Sequence, residues 1–234
     1  VEKGYDDFDY KRVTRALLDF MVIDLSAFYF DIRKDALYCD PISSQDRRAA
    51  LVTVRTIFDC VVKWLAPCLP FTMEEAWLDR YPHKESLHLE QFPTIGDWKD
   101  DALADQWRKI RKVRSVVTGA LEIERREKTI GSSLEAAPKV FVSDSDLMEA
   151  VQAVSSFEDI CITSSIDVSD ATAPTGVFTL DDVSGVAVEF QKAEGQKCER
   201  SWKVLPSVGS DTEFANVSPR DADALRELKE AGRL

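Results

Sequence analysis

The fold is predicted outward from residues 64–77, whose sequence is WLAPCLPFTMEEAW. Pro67 and Pro70 end the helix that precedes them, because proline lacks the backbone donor and clashes with the previous turn. A short helix is predicted to follow from Thr72 to Tyr81, since acidic residues in its first turn suit the positive end of a helix. The stretch therefore predicts a short link between two helices, as in a helix bundle.

Apolar side chains at helical spacing extend this pattern on both sides of the link. One stripe runs from Val13 to Ile32, and a second runs from Leu51 to Leu65. A third long helix is predicted from 101 to about 128, with an apolar side made of Leu103, Trp107, Ile110, Val113, Val117 and Leu121. Residues 1–130 are therefore predicted to form an antiparallel helix bundle, and the chain as a whole is predicted to be mainly α.

The pattern changes after Gly131. Residues 131–193 are predicted to form a small α+β domain, in which a small sheet carries one or two helices. Short apolar runs predict strands at 140–142, 160–162, 177–180 and 186–190, with a helix over 146–154. Residues 194–234 form a third segment, which ends in a predicted helix from Pro219 to about Lys229.

The net charge of the chain is −12 over 234 residues, of which 44% are hydrophobic. Such an acidic chain is expected to be a poor binder of nucleic acid. The acidity is nevertheless uneven: residues 1–130 carry 21 basic and 23 acidic side chains, and residues 131–234 carry 9 and 19. The nearly neutral first part can therefore hold local basic patches. A membrane partner is not expected, because no window approaches about 18 uninterrupted apolar residues.

Neither the cysteines nor the catalytic motifs indicate an enzyme site within these residues. Five cysteines at 39, 60, 68, 161 and 198 form no paired framework, which predicts a disulfide-free, cytoplasmic chain. The sequence contains neither a Walker-type phosphate loop nor a G-x-G-x-x-G turn. We therefore predict no catalytic residue.

Four segments, in the same order along the chain, resemble bacterial isoleucyl-tRNA synthetases, which are class I enzymes. Their sequences are FYFDIRKD at 28–35, WLAPCLPFTMEEAW at 64–77, LE with RR at 121–126 followed by IGSSLEA at 130–136, and GQKCERSW at 195–202. The resemblance thus covers residues 28–202. Valyl- and leucyl-tRNA synthetases share the segment at 64–77, whereas the first and third segments favour isoleucine.

The resemblance implies the anticodon-binding bundle and C-terminal extension of such an enzyme. Its partners would be the anticodon stem-loop of a tRNA and the rest of the synthetase chain, with no DNA. ATP and Mg²⁺ would belong only to a catalytic domain that lies elsewhere and attaches isoleucine to its tRNA. Two alternatives stay open: the same region of a valyl or leucyl enzyme, or an acidic protein–protein interaction module without an RNA role.

The resemblance also implies a C-terminal zinc module, from which this sequence departs. The family supplies four cysteines as two C-x-x-C pairs, and structural zinc needs four ligands. Here Cys198 is retained, its partner position is Ser201, and no cysteine follows. Ser218 and Asp221 have the separation of a second pair. We therefore predict a degenerate, zinc-ribbon-like tail without metal, in which Cys198 is a relic ligand position.

Basic and aromatic residues near these segments are candidates for tRNA binding. Arginine and lysine can pair with phosphate oxygens, and an aromatic ring can stack on an unpaired anticodon base. The candidates are Arg33, Lys34, Arg47, Arg48, Arg108, Arg111, Lys112, Lys197 and Arg200 for phosphates, and Phe30 or Tyr38 for a base. The alternative is structural: Phe30 in the core, Arg33 paired with Asp31 or Asp35, and a solvated helix face around Arg108.

Overall fold

The computed structural model describes all residues from 1 to 234. They divide into two compact units, the first comprising Val1–Leu37 and Ser43–Trp98, and the second comprising Tyr38–Ile42 and Lys99–Leu234. The fold is mainly helical with a small mixed sheet, which confirms the predicted class at that level. The division differs from the predicted helical domain of residues 1–130, because the third long helix belongs to the second unit.

All the secondary structure of the first unit is helical. Its helices are α1 (Glu2–Asp6), α2 (Tyr10–Asp19), α3 (Asp31–Tyr38), α4 (Gln45–Leu65) and α5 (Pro70–Arg80). Between α2 and α3 the chain stays helical from Phe20 to Phe30, in the wider i→i+5 hydrogen-bonding pattern of a π-helix. A short 3₁₀ turn follows α5 at Leu87–Leu89.

The link at 64–77 is held by contacts that its own side chains make. Pro70 is the first residue of α5, where a missing backbone N–H costs nothing. Glu74 Oε2 accepts a hydrogen bond of 2.8 Å from the backbone N–H of Leu87. The indole of Trp77 is buried and donates to the carbonyl of Glu85 at 3.1 Å. These bonds fix the chain after α5 against α5 itself.

The second unit is built on the third long helix, α6 (Asp101–Arg126). The sheet beneath it has the strand order β2-β1-β4-β3, with β1 (Lys139–Val142) parallel to β2 (Asp167–Ser169). Strand β4 (Val183–Glu189) is antiparallel to both β1 and β3 (Phe178–Leu180). Two further helices are α7 (Ser145–Gln152) and α8 (Phe157–Cys161).

The apolar face of α6 explains why this helix belongs to the second unit. Ile110, Val113, Val116 and Val117 are all fully buried in one core with residues of β1 and β4. The helix also approaches β3 closely, since a Cβ on Gly119 would lie 3.0 Å from the ring of Phe178. The predicted stripe begins one turn too early, because Leu103 is 48% exposed.

The strand predicted at 160–162 is wrong, whereas those in β1, β3 and β4 and the helix α7 are confirmed. Residues Phe157–Cys161 form α8, and Ile162 ends it in the left-handed conformation with φ of 59°. A hydrogen bond of 2.7 Å from Ser156 Oγ to Asp159 Oδ2 supports the first turn of α8. The next strand, β2, begins only at Asp167.

The C-terminal segment adds a small hairpin and a helix. Strands β5 (Gln196–Lys197) and β6 (Val204–Leu205) pair antiparallel, and α9 (Pro219–Glu230) confirms the predicted terminal helix. Gly195 is required before β5, since it has φ of +115° and a Cβ there would lie 2.2 Å from the backbone of Leu205. A separate small core joins the hairpin to α9 and contains Cys198, Val208, Val217 and Ala222.

Candidate functional site

Two of the candidate RNA-binding residues, Arg33 and Lys34, lie in α3. Arg33 is half-buried, and its Nε has no hydrogen-bond partner although it is shielded from solvent. Lys34 is exposed and pairs with Asp31 at 2.8 Å. A guanidinium nitrogen buried without an acceptor is a costly feature unless something else supplies the acceptor.

Arg47 and Arg48 lie in the first turn of α4. Ser44 caps this helix, and its hydroxyl accepts the backbone N–H of Arg47 at 3.2 Å. Arg48 folds back so that its guanidinium donates to the carbonyls of Ser43 and Ser44. The helix start contributes further positive potential, because its first backbone N–H groups have no intrahelical acceptor. Cationic side chains and a helix N-terminus together suit a phosphate.

The two aromatic candidates differ in exposure. Phe30 is half-buried, and its ring centroid lies 6.0 Å from that of Tyr29. Tyr38 is 73% exposed. Exposure favours Tyr38 as the ring that could stack on a base, because a stacking ring must offer a free face.

The basic residues of α6 divide into an outward set and an inward set. Arg108 is 71% exposed beside Asp105, and Arg111 and Lys112 are exposed on the same side of the helix. Arg114 instead donates from Nε to the carbonyl of Ile160 at 2.7 Å. The candidates Arg108, Arg111 and Lys112 therefore share an accessible face, whereas Arg114 is part of the packing against α8.

The two candidates of the C-terminal segment, Lys197 and Arg200, differ in whether their charged groups are exposed. Lys197 is exposed, and its ammonium lies 5.3 Å from the ring centroid of Trp202. Trp202 is 61% exposed and is held in the left-handed conformation with φ of 63°. Trp202 is not among the RNA-binding residues predicted from the sequence, although its place directly after the GQKCERS stretch is a usable signal. An exposed indole with a neighbouring cation is a suitable platform for a nucleotide base.

Arg200 has internal partners instead. Its Nη1 donates to the carbonyl of Cys39 at 2.5 Å, and its Nη2 donates to the carbonyl of Tyr38 at 2.9 Å. Nη1 also lies 3.5 Å from the carboxylate of Asp221, and only 16% of the Arg200 side chain is exposed. Its guanidinium is therefore occupied within the second unit.

The four positions of the expected zinc module come together in space. Cys198 Sγ donates to Asp221 Oδ2 at 3.2 Å, and Ser218 Oγ donates to the same oxygen at 2.6 Å. The backbone N–H groups of Ser201 and Ser218 point at Cys198 Sγ from 3.5 and 3.4 Å. Nowhere in the chain do three or more His, Cys, Asp or Glu side chains meet as a metal site would require.

Two other features bear on what the chain can bind. An apolar cavity of about 470 Å³ lies in the first unit, and α4 supplies most of its lining together with Ile95 and Trp98. Its apolar lining does not suit a phosphate. None of the helices combines the length and the hydropathy needed to span a bilayer.

The chain is similar to tRNA ligases along its whole length. The sequence model of the family described as the anticodon-binding domain of tRNA ligase matches residues 1–141. The full chain is 62% identical to the isoleucine–tRNA ligase of Brucella abortus biovar 1 (strain 9-941), and it is 60% identical to that of Mesorhizobium japonicum. It is 57% identical to the isoleucine–tRNA ligase of Bartonella henselae. The chain covers 24% of each, so it spans about a quarter of the length of these curated relatives.

Proposed function

The chain belongs to the family of anticodon-binding domains of tRNA ligases, and on that premise we propose that it binds the anticodon stem-loop of isoleucine tRNA. The observation that carries the proposal is identity of 54–62% to isoleucine–tRNA ligases along the whole chain. In the complete ligase, ATP and Mg²⁺ would serve residues outside these 234, where isoleucine is attached to the tRNA. The rest of that ligase is the second partner that we propose.

We infer that the phosphates of the stem-loop meet two sets of cations, one in each unit. The first set is Arg33 and Lys34 of α3 with Arg47 and Arg48 at the start of α4. The second set lies in the second unit and comprises Arg108, Arg111 and Lys112 on α6 with Lys197 beside Trp202. Each set supplies sequence-independent affinity, since phosphate contacts position an RNA without reading its bases.

Base recognition is assigned to aromatic side chains. Proteins read single-stranded RNA by stacking splayed bases on exposed rings and by hydrogen bonds to their edges. Tyr38 and Trp202 support this role because both present exposed rings, and Phe30 is a third, more buried candidate. Arg200 is not included among the RNA contacts that we propose, because its guanidinium is engaged by Asp221 and by two backbone carbonyls.

We also infer the finer architecture from the family. The helices of the first unit correspond to an antiparallel anticodon-binding bundle, and residues 194–234 to a zinc ribbon that has lost its metal. The cytoplasm is the proposed compartment, because all five cysteines are free thiols, which suits a reducing environment.

The experiment measures binding of the 234-residue chain to isoleucine tRNA at several salt concentrations. A variant with Arg47→Gln and Arg48→Gln is expected to bind about tenfold or more weakly and to lower the slope of log K against log salt by about 1–2. The matched control replaces Lys3 and Lys99, two exposed lysines that pair with Asp7 and Asp101, by Gln.

Equal effects of the two double variants would contradict the assignment of the α4 start to phosphate binding. If the chain bound valine or leucine tRNA more tightly than isoleucine tRNA, it would instead be assigned to the valine or leucine ligase. Absence of binding to any tRNA would favour the acidic protein–protein interaction module instead.

A further inference from the structure

The expected zinc site fails a test of fit on its own geometry. Its four positions hold one thiol, one carboxylate and two hydroxyls, whereas structural zinc needs four strong ligands. Only Cys198 offers the sulfur ligand that the family's module uses four times, and its Sγ lies 3.2 Å from Asp221 Oδ2. Ser201 and Ser218 offer neutral hydroxyls, which are not among the usual ligands of zinc. These residues do not suit zinc.

The same positions instead surround a buried anion. The side chain of Asp221 has no exposed surface, and a buried carboxylate is unstable unless it is paired and hydrogen-bonded. Burial by itself would raise the pKa of Asp221, but the Ser218 hydroxyl and the charge of Arg220 outweigh it and lower the pKa. The carboxylate therefore needs the cations and hydrogen-bond donors that surround it.

Two arginines, one in the turn after Cys198 and one at the start of α9, lie at salt-bridge distance from this carboxylate. Arg200, next to the Cys198 turn, has Nη1 at 3.5 Å from Asp221 Oδ1. Arg220, in the first turn of α9, has Nη2 at 3.5 Å from the same oxygen, and its Nη1 lies 3.7 Å from Asp40. The carboxylate thus holds the 198–201 turn and the start of α9 together, which is what a structural metal does in a ribbon.

The cluster also reaches the segment Tyr38–Ile42. Arg200 donates to the carbonyls of Tyr38 and Cys39, and the thiol of Cys39 lies 3.7 Å from the carbonyl of Arg200. Asp40 faces Arg220 in the same region. A chain segment that is distant in sequence is therefore fixed to the C-terminal segment through the same ions.

We propose that an ion cluster of Asp221, Arg200 and Arg220, hydrogen-bonded to Cys198 and Ser218, replaces the structural metal of this module and anchors Tyr38–Ile42 to it. This inference rests on the proposed assignment of residues 194–234 to a metal-free ribbon. Arg200 is then a positioning residue: it holds the backbone of Tyr38, whose exposed ring is one of the proposed base-stacking groups.

The first arm of the test concerns metal. The 234-residue chain, purified after expression with added zinc, is expected to contain far less than one zinc per chain by elemental analysis. Its midpoint of thermal unfolding is expected to be unchanged by EDTA. Stoichiometric zinc, or a midpoint that falls on chelation, would overturn the proposal.

The second arm concerns the ion cluster. Arg200→Met leaves the buried carboxylate with one cation fewer, so its thermal midpoint is expected to fall by about 5–10 °C. Adding Asp221→Asn removes the anion and is expected to recover part of that loss, whereas Lys192→Met, at an exposed lysine, is expected to change nothing. With Asp221→Asn measured alone as well, additive effects of the two substitutions would show that Arg200 and Asp221 are not coupled and would overturn the proposal.

A third arm stays informative even if Arg200→Met does not fold. The triple variant Ser201→Cys, Ser218→Cys and Asp221→Cys restores four thiols at the four positions. It is expected to bind one zinc and to become sensitive to EDTA, and failure to bind zinc would show that these positions do not form one ligand set. No arm measures tRNA binding, so failure here is distinguishable from failure of the proposed function.

Discussion

Glu74 and Trp77 show how a sequence motif is used at the scale of single residues. Both side chains turn toward the chain that follows α5, where Glu74 accepts the backbone N–H of Leu87 and Trp77 donates to the carbonyl of Glu85. Hydrogen bonds to an ionised acceptor are stronger than those between neutral groups. These two residues therefore stabilise the fold and are not part of the proposed RNA surface.

Adjacent glutamates in this motif provide a matched comparison. Glu74→Ala removes a charged acceptor and leaves the N–H of Leu87 unpaired, so the free energy of unfolding is expected to fall by about 1–2 kcal/mol. Glu75→Ala, on the exposed side of the same helix, is expected to change it by less than about 0.5 kcal/mol. Urea denaturation of both variants checks this, and equal losses would contradict the structural role of Glu74.

The sequence shows which basic residues are candidates for RNA binding, but it does not show their partners within the fold. Arg111 and Arg114 lie in one basic run of α6, yet only Arg114 bonds to the carbonyl of Ile160. Likewise, the sequence did not show that Arg200, a predicted RNA contact, bonds to the carbonyls of Tyr38 and Cys39 and pairs with Asp221. These partners come from chain segments up to 162 residues away, and no local pattern contains them.

At the scale of elements, α6 is the helix on which the second unit is built. Its buried face joins the sheet in one core, while its other face carries the exposed cations Arg108, Arg111 and Lys112. The helix thus couples the stability of the second unit to the orientation of a proposed phosphate-binding face.

Two apolar residues of α6 test where its core contact begins. Ile110→Ala creates a cavity at a position with no exposed surface, so the free energy of unfolding is expected to fall by about 2–4 kcal/mol. Leu103→Ala, two turns earlier on the same helix and 48% exposed, is expected to cost less than about 1 kcal/mol. If Leu103→Ala were as costly as Ile110→Ala, the core would begin at the first turn of α6, contrary to the structure.

A carboxylate between two lysines fastens α4 to the segment after Leu87–Leu89. Glu90 Oε2 accepts a hydrogen bond of 2.9 Å from Lys63 Nζ of α4, and Glu90 Oε1 lies 3.3 Å from Lys84 Nζ. The hydrogen bond from Lys63 is the main cause of a lowered pKa of Glu90, with burial acting in the opposite direction and Lys84 adding to the lowering. Both ammonium groups also lie within 5.6 Å of the ring centroid of Trp77.

This lowered pKa predicts a dependence of stability on pH. Because the pKa of Glu90 is lower in the folded state, its stabilisation is complete above the unfolded value of about 4.5 and is lost as the pH falls through the folded value. Lys63→Met is therefore expected to lower the free energy of unfolding by about 1 kcal/mol at pH 7, with a smaller difference from the wild type below pH 4. Urea titrations at both pH values measure this, and a difference that grows in acid would contradict the sign.

Elements were predictable from the sequence where their pattern was long or their ends were marked. The link at Pro67 and Pro70 was predicted because proline lacks the backbone donor and clashes with the previous turn. The helix from Pro219 was predicted as well. The helical end at 160–161 was mistaken for a strand, because three apolar residues fit a strand and a buried helix end equally well. The assignment of α6 to the sheet also escaped prediction, since an apolar stripe shows that a face is buried but does not identify its partner.

For the whole molecule, net charge is a poor guide to binding. The chain carries −12 overall, but the proposed phosphate-binding cations lie mostly within residues 1–130, where the net charge is only −2. Many acidic residues of the remaining part have structural roles, as when Asp144 caps α7 or Asp211 pairs with Arg226. Local cation sets can therefore bind an RNA although the average charge is negative.

We propose above all that this chain reads the anticodon of isoleucine tRNA. It is tested by competition between isoleucine tRNA and the same tRNA with its anticodon replaced by that of another amino acid, at rising salt. We expect affinity for both to fall with salt, and the replaced anticodon to bind about tenfold more weakly, as the loss of one stacked base implies. Equal affinity for the two tRNAs, or affinity that does not change with salt, would contradict the claim.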